Sequence, residues 1–294
     1  MNINSICVCG AGTMGNGIAQ AAAQAGFSVI LYELNTAVLE KAKDATSENL
    51  QMQVGKEKIT VEEKEKIIRR IHYNNDIQTC LADVFIEAIV EIAEIKIALF
   101  NQLAELNHSE CIFATNTSSL SVTAIAEKIQ RPERVIGMHF FNPATIMKLV
   151  EVVNTPHTNE ITTNTIMGLA KQMDKVPVLC KDAPGFIVNR VARSYYTETM
   201  RLVEEGHVAV EAADKLLEAS GFKMGPFKLM DLIGNDVNYA VSNSVYEQMN
   251  KNERFKPSYI QEQKVKEGKL GKKSGEGFYK YTPKPRPTDS SGRA

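Results

Sequence analysis

Short apolar runs alternate with amphipathic segments across residues 1–184, the first run ends in a glycine-rich turn, and strand patterning stops after Asp182-Ala-Pro-Gly185. These three features predict an α/β fold, a doubly wound and mostly parallel sheet followed by an all-α C-terminal domain. The first domain is expected over 1–184 with a helical arm inserted at 36–70, and the second over 185–281. A tail rich in Pro, Ser and Gly, 282–294, is expected to be disordered.

Ser5–Cys9 reads as the first strand, Met14–Gln24 as an alanine-rich helix and Ser28–Glu33 as the second strand. The charged stretch Thr36–Arg70 reads as two solvated helices, with Val38, Ala42, Ala45 and Met52 at helical spacing on one face. Val84–Ile89 and Cys111–Thr115 are strands on either side of the helix Glu94–Leu106. Val135–Phe140, Lys148–Val153 and Val176–Cys180 finish the sheet. Beyond it, Phe186–Gly206, Val208–Ser220 and Lys228–Met249 show helical spacing punctuated by Gly and Pro.

The chain carries 34 Lys and Arg against 35 Asp and Glu, so no strong field points to nucleic acid or a membrane surface. No run approaches the roughly 18 apolar residues of a membrane span. Residues 1–25 lack a positively charged start and are interrupted by Gly10, Gly12, Gly15 and Gly17, so a cytoplasmic protein is expected, the alternative being a processed mitochondrial matrix form. Cys7, Cys9, Cys80, Cys111 and Cys180 lie in apolar segments and suit buried free thiols. Cys7 and Cys9 fall on one face of a strand, and no second pair or histidine cluster completes a ligand set, so no metal is expected.

The turn after the first strand is Gly10-Ala-Gly-Thr-Met-Gly15. It opens a helix and precedes a strand ending in Glu33, which is the context of a Rossmann dinucleotide fingerprint. Gly10 allows the tight turn, Gly12 lets backbone approach a pyrophosphate, and Gly15 permits close helix–strand packing. Gly10, Gly12, Thr13, Met14 and Gly15 are thus candidate cofactor contacts around a positive helix N-terminus. Glu33 would accept from both ribose hydroxyls and repel a 2′-phosphate, which favours NAD over NADP. The alternative is a packing turn in an unrelated α/β fold.

The apolar run Val135–Met138 ends in His139, and twelve residues on Glu151 interrupts a second apolar run, Leu149–Val153. A carboxylate is seldom placed in such a run unless a neighbour needs its charge. An imidazole oriented by a carboxylate serves as a general base near neutral pH, while the same two residues also suit a structural pair in a satisfied core. Ala114-Thr-Asn-Thr-Ser-Ser-Leu120 lies at the carboxyl end of a strand, where open sheets bind ligands. Asn116, Ser118 and Ser119 could each donate there, or Ser119 or Ser121 could simply cap a helix over Val122–Ile129. In Pro184-Gly-Phe-Ile-Val-Asn-Arg190, Asn189 falls early on the first helix of the second domain, either facing a ligand or as a surface amide.

Together these segments resemble the L-3-hydroxyacyl-CoA dehydrogenase family, most closely its short 3-hydroxybutyryl-CoA dehydrogenases. The resemblance covers residues 3–281 through GAGTMGNGIAQ (10–20), IEAIVE (86–91), ATNTSSLSVTAIA (114–126), RPERVIGMHFFNPATIMKLVEVV (131–153), KDAPGFIVNR (181–190), MGPFKLMDLIGNDV (224–237) and LGKKSGEGFYKY (270–281). It implies that His139 is the catalytic base, Glu151 its orienting partner, Ser118 a donor to the substrate 3-oxygen and Asn189 the amide completing the site. It implies contacts from Glu91, Lys96, Ser118 and Asn142 to the nicotinamide half of NAD, with a further one from Lys273. The charged arm resembles the family's CoA-binding element, with Lys56 matching a lysine that meets CoA phosphates. Glu33 stands where Asp is usual, and Asn49 where some relatives place a CoA-contacting serine.

The activity so implied is NAD-dependent interconversion of an L-3-hydroxyacyl-CoA and its 3-oxo form, with an acyl-CoA substrate and neither nucleic acid nor membrane as partner. The helical domain, with Leu202, Leu216, Leu217, Leu229 and Met230 as apolar candidates, resembles the family's dimer-forming part, and that resemblance implies a homodimer. Ile146 and Met147 are candidates for the acyl pocket. Two rival classes are an oxidoreductase of free hydroxy acids and a non-enzymatic protein that retains the NAD fold.

Overall fold

The computed structural model describes residues 3–281, so the tail expected over 282–294 lies outside the described residues. The chain divides into two compact units, Met1–Phe186 and Ile187–Ala294, where the sequence placed the boundary at 184.

The first unit is built on eight strands: β1 (Ser5–Cys9), β2 (Ser28–Tyr32), β3 (Ile71–Asn74), β4 (Val84–Glu87), β5 (Ile112–Thr115), β6 (Val135–Phe140), β7 (Leu149–Asn154) and β8 (Val176–Lys181). They form one sheet in the order β3-β2-β1-β4-β5-β6-β7-β8, parallel except for the antiparallel β6–β7 pair. This is the doubly wound, Rossmann-like sheet that the alternating pattern predicts. Successive residues of the central strands feed opposite cores, as a pleat covered on both faces requires. Ile6, Val8, Val84 and Ile86 pack with helices α1 (Thr13–Gln24), α2 (Thr36–Gly55), α3 (Val61–Arg69) and α6 (Glu160–Gln172). Cys7, Cys9 and Phe85 pack on the other face with α4 (Ala93–Leu106) and α5 (Val122–Ala126).

The structure corrects the expected elements in several places. The strand β3 and the helix α6 have no counterpart in the sequence reading. The former is a short Ile-His-Tyr-Asn run at the sheet edge with only Ile71 buried, and the latter is rich in Thr. The face of α2 that packs inward is Leu39, Ala42, Thr46 and Leu50, with Val38 half-buried, whereas Ala45 and Met52 are exposed. The arm is fastened to α1 by polar contacts, Thr46 Oγ1 to Asn16 Oδ1 (2.8 Å) and Gln20 Nε2 to Asn49 Oδ1 (2.9 Å), rather than by an apolar stripe alone. The expected helix Val122–Ile129 ends at Ala126.

The second unit is helical: α7 (Val188–Glu204), α8 (Val210–Ala219), α9 (Pro226–Ile233), α10 (Asn235–Gln248) and α11 (Tyr259–Lys266). The single helix expected over Lys228–Met249 is two helices, broken at Gly234, whose φ of 107° lies where a side chain is strained. Met230 is fully buried against Tyr196, Met200 and Phe227, so it belongs to the core of this unit and not to a dimer face. Two buried aspartates organise the fold. Asp214 caps α9 through the Phe227 and Lys228 N–H groups and accepts from the Tyr279 hydroxyl. Asp231 receives Phe278 N, Tyr279 N and the Tyr281 hydroxyl, which holds the C-terminal GKKSGEGFYKY segment.

Candidate active site

The glycine turn adopts the cramped geometry that its spacing implies. Gly10 has φ of 101°, and a Cβ there would lie 2.6 Å from the Ala88 carbonyl oxygen. A Cβ on Gly15 would lie 1.8 Å from the Gly10 carbonyl oxygen, so α1 is pressed against the end of β1. At Gly12, the N-cap of α1, a Cβ would meet nothing within 4 Å, and no side chain caps the helix. Backbone donors facing open space at a positive helix end suit a pyrophosphate. Thr13 is exposed beside Gly12, and Met14 packs partly into the core. Glu33, just past β2, accepts from Ala11 N (3.1 Å) and Asn35 N (3.0 Å), leaving lone pairs for ribose hydroxyls.

His139 and Glu151 stand directly opposite each other in the antiparallel β6–β7 register. His139 Nδ1 is 2.7 Å from Glu151 Oε2, and the residues are 5% and 1% exposed. An ionised carboxylate only accepts, so the imidazole proton belongs on Nδ1 and Nε2 is the basic nitrogen. The ring is held by Phe141 and Phe186, with centroids at 4.7 and 5.7 Å. Asn116 Oδ1 receives Phe140 N (2.8 Å), which ties the end of β6 to the loop after β5.

That loop gathers around Glu91, which accepts from the Thr117 hydroxyl (2.5 Å), Ser118 N (3.1 Å) and the Ser119 hydroxyl (3.0 Å). Ser121, not Ser119, caps α5, accepting from Ala124 N. Lys96 is 1% exposed and pairs with Glu91 (3.0 Å) and with Glu87 (2.5 Å). Burial pushes the Glu87 carboxyl above the ordinary range despite Lys96. Burial acts the same way on Glu91, but Lys96 and the Thr117 hydroxyl outweigh it and hold that carboxyl low. Glu87 escaped the sequence reading, although a lone carboxylate closing the run Val84-Phe85-Ile86 is the same signal that singled out Glu151.

Asn142 is exposed on the loop after β6, as are Ile146 and Met147. Lys56 is exposed at the end of α2. Asn49 Oδ1 is engaged by Gln20 and by Gln53 Nε2 (2.9 Å). In the second unit, Asn189 lies in the first turn of α7, and Lys273 pairs with Asp236. The five cysteines are free. Among the described residues no group of acidic, thiol and imidazole side chains could hold a metal, and no helix is long and apolar enough to cross a membrane.

Residues 5–183 match the model of the 3-hydroxyacyl-CoA dehydrogenase NAD-binding domain, and residues 185–281 match that of the C-terminal domain of the same family. The 3-hydroxyadipyl-CoA dehydrogenase of Escherichia coli is 46% identical over 96% of the chain, which spans 60% of that protein's length. The mitochondrial hydroxyacyl-coenzyme A dehydrogenase of Sus scrofa is 40% identical over 95% of the chain, which spans 91% of its length. The crystal structure of (S)-3-hydroxybutyryl-CoA dehydrogenase from Ralstonia eutropha superposes with a TM-score of 0.91 at 34% identity, over 96% of this chain and all of that one.

Proposed function

Because the chain belongs to the 3-hydroxyacyl-CoA dehydrogenase family, we propose that it interconverts an L-3-hydroxyacyl-CoA and the 3-oxoacyl-CoA with NAD, using His139 and Glu151 as an acid/base pair. The 2.7 Å contact between His139 Nδ1 and Glu151, in a nearly dry setting, carries this reading. The turn around Gly12 and the carboxylate of Glu33 fit NAD, which when bound supplies the hydride acceptor.

In the oxidative direction His139 Nε2 takes the proton of the 3-hydroxyl as hydride leaves C3. Glu151 keeps the tautomer and stabilises the imidazolium. Ser118 and Asn189 hold the 3-oxygen, Glu91, Lys96, Asn142 and Lys273 meet the cofactor, and Lys56 meets the CoA phosphates. Asn49 already serves Gln20 and Gln53, so its part is to hold the arm on α1. In the reductive direction protonated His139 returns the proton.

A short acyl chain, as in 3-hydroxybutyryl-CoA, is favoured by those relatives of matching length that are named 3-hydroxybutyryl-CoA dehydrogenases, while others of matching length are named only for a hydroxyacyl-CoA. NADH formation is the test, with 3-hydroxybutyryl-CoA, longer homologues and 3-hydroxyadipyl-CoA set against free 3-hydroxybutyrate. Turnover of the free acid but of no thioester would sink the assignment. A homodimer through the second unit, where Leu202, Leu216 and Phe222 are 39%, 66% and 52% exposed, is the accompanying proposal, read by sedimentation.

A further inference from the structure

Glu87 has no part in the chemistry above, yet it is the most deeply placed charge beside it. It is fully buried at the carboxyl end of β4, in register with Cys9 on β1 and Thr115 on β5. The β1–β4 junction is where the strand order turns back, the crevice in which open α/β sheets bind their ligands. Glu87 Oε1 meets Lys96 Nζ at 2.5 Å and accepts from Ile89 N at 2.8 Å. Glu87 Oε2 accepts from the Thr115 hydroxyl at 2.7 Å.

Both branches lead to the same loop. Lys96 passes from Glu87 to Glu91, whose Oε1 receives the Thr117 hydroxyl and Ser118 N. Thr115 Oγ1, while donating to Glu87, accepts from Thr117 N at 3.3 Å. The bonds close a ring that runs Glu87, Lys96, Glu91, Thr117, Thr115 and back to Glu87. Each member has its donors and acceptors used in a sense its neighbour requires, so displacing one displaces the next. An ammonium buried as deeply as Lys96 needs a counter-charge for the fold to tolerate it, and Glu91 alone, with its side chain 37% exposed, sits at the rim rather than beneath it.

We propose that Glu87 is a positioning residue, which through Lys96 and Thr115 fixes Glu91 and the Thr115–Ser119 loop and so sets the affinity for NAD and the placement of Ser118. The proposal rests on the reading that Glu91 and Ser118 face cofactor and substrate. The bland competitor is a pair that merely neutralises Lys96 so that α4 can pack, which would affect stability alone.

The experiment uses the full chain with Glu87→Gln, Thr115→Val and Glu91→Gln, and reads NADH affinity by nucleotide fluorescence, melting temperature, and kcat and KM for both substrates. The protein has no tryptophan, so the nicotinamide emission is read without indole overlap. Glu87→Gln keeps the shape and removes the charge. Its NADH Kd should rise about tenfold, the loss that accompanies weakening one charge-assisted hydrogen bond, and kcat should fall with it. Thr115→Val, nearly isosteric in a buried strand, should shift the same two quantities in the same direction by a smaller factor. Wild-type Kd and kcat in Glu87→Gln overturn the proposal even if the melting temperature falls. If Glu87→Gln does not fold, wild-type values in Thr115→Val overturn it. Glu91→Gln separates the layers: if it leaves NADH affinity intact, the reading of Glu91 fails and the proposal falls with its premise. If it weakens binding while Glu87→Gln does not, the proposal alone fails.

Discussion

His139 and Glu151 are direct partners across the β6–β7 pair, and their side chains meet at 2.7 Å because opposed residues of an antiparallel ladder project to the same face. Reversal of strand direction at β6–β7 is therefore part of the site. A parallel neighbour would enter through a long crossover, whereas here the short connection 141–148 returns the carboxylate to the imidazole.

Replacing either partner should expose that dependence. Glu151→Gln leaves the ring in place but no longer demands the proton on Nδ1, and His139→Gln removes the proposed base. Each should lower kcat by about 10²–10⁴-fold, the usual worth of a positioned general base, while NADH affinity stays near wild type. Steady-state rates alongside a nucleotide titration give both numbers. Full turnover in either variant would refute the pairing as catalytic.

Two alanine substitutions in the glycine turn should behave in opposite ways. Gly15→Ala drives a Cβ to 1.8 Å from the Gly10 carbonyl oxygen, so it should cost several kcal/mol of stability, as overpacking at backbone does. Gly12→Ala meets no protein atom within 4 Å and should melt within a few degrees of wild type. Its methyl would instead stand where the pyrophosphate approaches, so NAD affinity should drop at least about tenfold. A Gly12→Ala protein with unchanged NAD affinity would show that the pyrophosphate lies elsewhere.

Glu33 should govern the choice between NAD and NADP. Its carboxylate is anchored by Ala11 N and Asn35 N, so its charge is held at the end of β2 and cannot swing away from a 2′-phosphate. Glu33→Gln keeps an acceptor for one N–H and removes the repulsion. The ratio of kcat/KM for NADP to that for NAD should rise about tenfold, and an unchanged ratio would reject Glu33 as the discriminating group.

Long, two-sided burial made most of this fold legible. Strands such as Ser5–Cys9 and Val135–Phe140 are covered on both faces and so read as near-continuous apolar runs. The edge strand Ile71–Asn74 has one buried residue and no such signature. Helical spacing could not locate the break at Gly234, because α9 and α10 are both helical and only that one glycine stands between them. Thr46 packs inward on α2 because Asn16 supplies its partner from another helix, a fact no local pattern contains. Within the site, a carboxylate inside an apolar run pointed to Glu151. The same logic applies to Glu87, whose partner Lys96 comes from the first turn of α4 and is invisible as a pair until the chain is folded.

The strand that presents the glycine turn should lose part of its anchorage in acid. Asp83 Oδ2 accepts from Asn4 N (2.8 Å), Ser5 N (2.9 Å) and the Ser5 hydroxyl (3.0 Å), which fastens the start of β1 to β4. Burial raises the Asp83 pKa, but these donors and His108 outweigh it and hold the carboxyl below its ordinary value. A carboxylate lowered in the folded state binds fewer protons there than when unfolded, so its stabilisation rises with pH. It is complete above the ordinary Asp value of about 4 and is lost as pH falls through the lower folded value. Asp83→Asn should therefore cost about 1–2 kcal/mol at neutral pH, the difference between hydrogen bonds to a charged acceptor and to the neutral amide oxygen that replaces it. That deficit should shrink as pH falls below about 4 and the wild-type carboxylate loses its advantage, vanishing once it is protonated in the folded state too. Denaturant titrations of both proteins across this range provide the check. A deficit that stayed constant into acid would mean that the charge on Asp83 contributes nothing to holding β1.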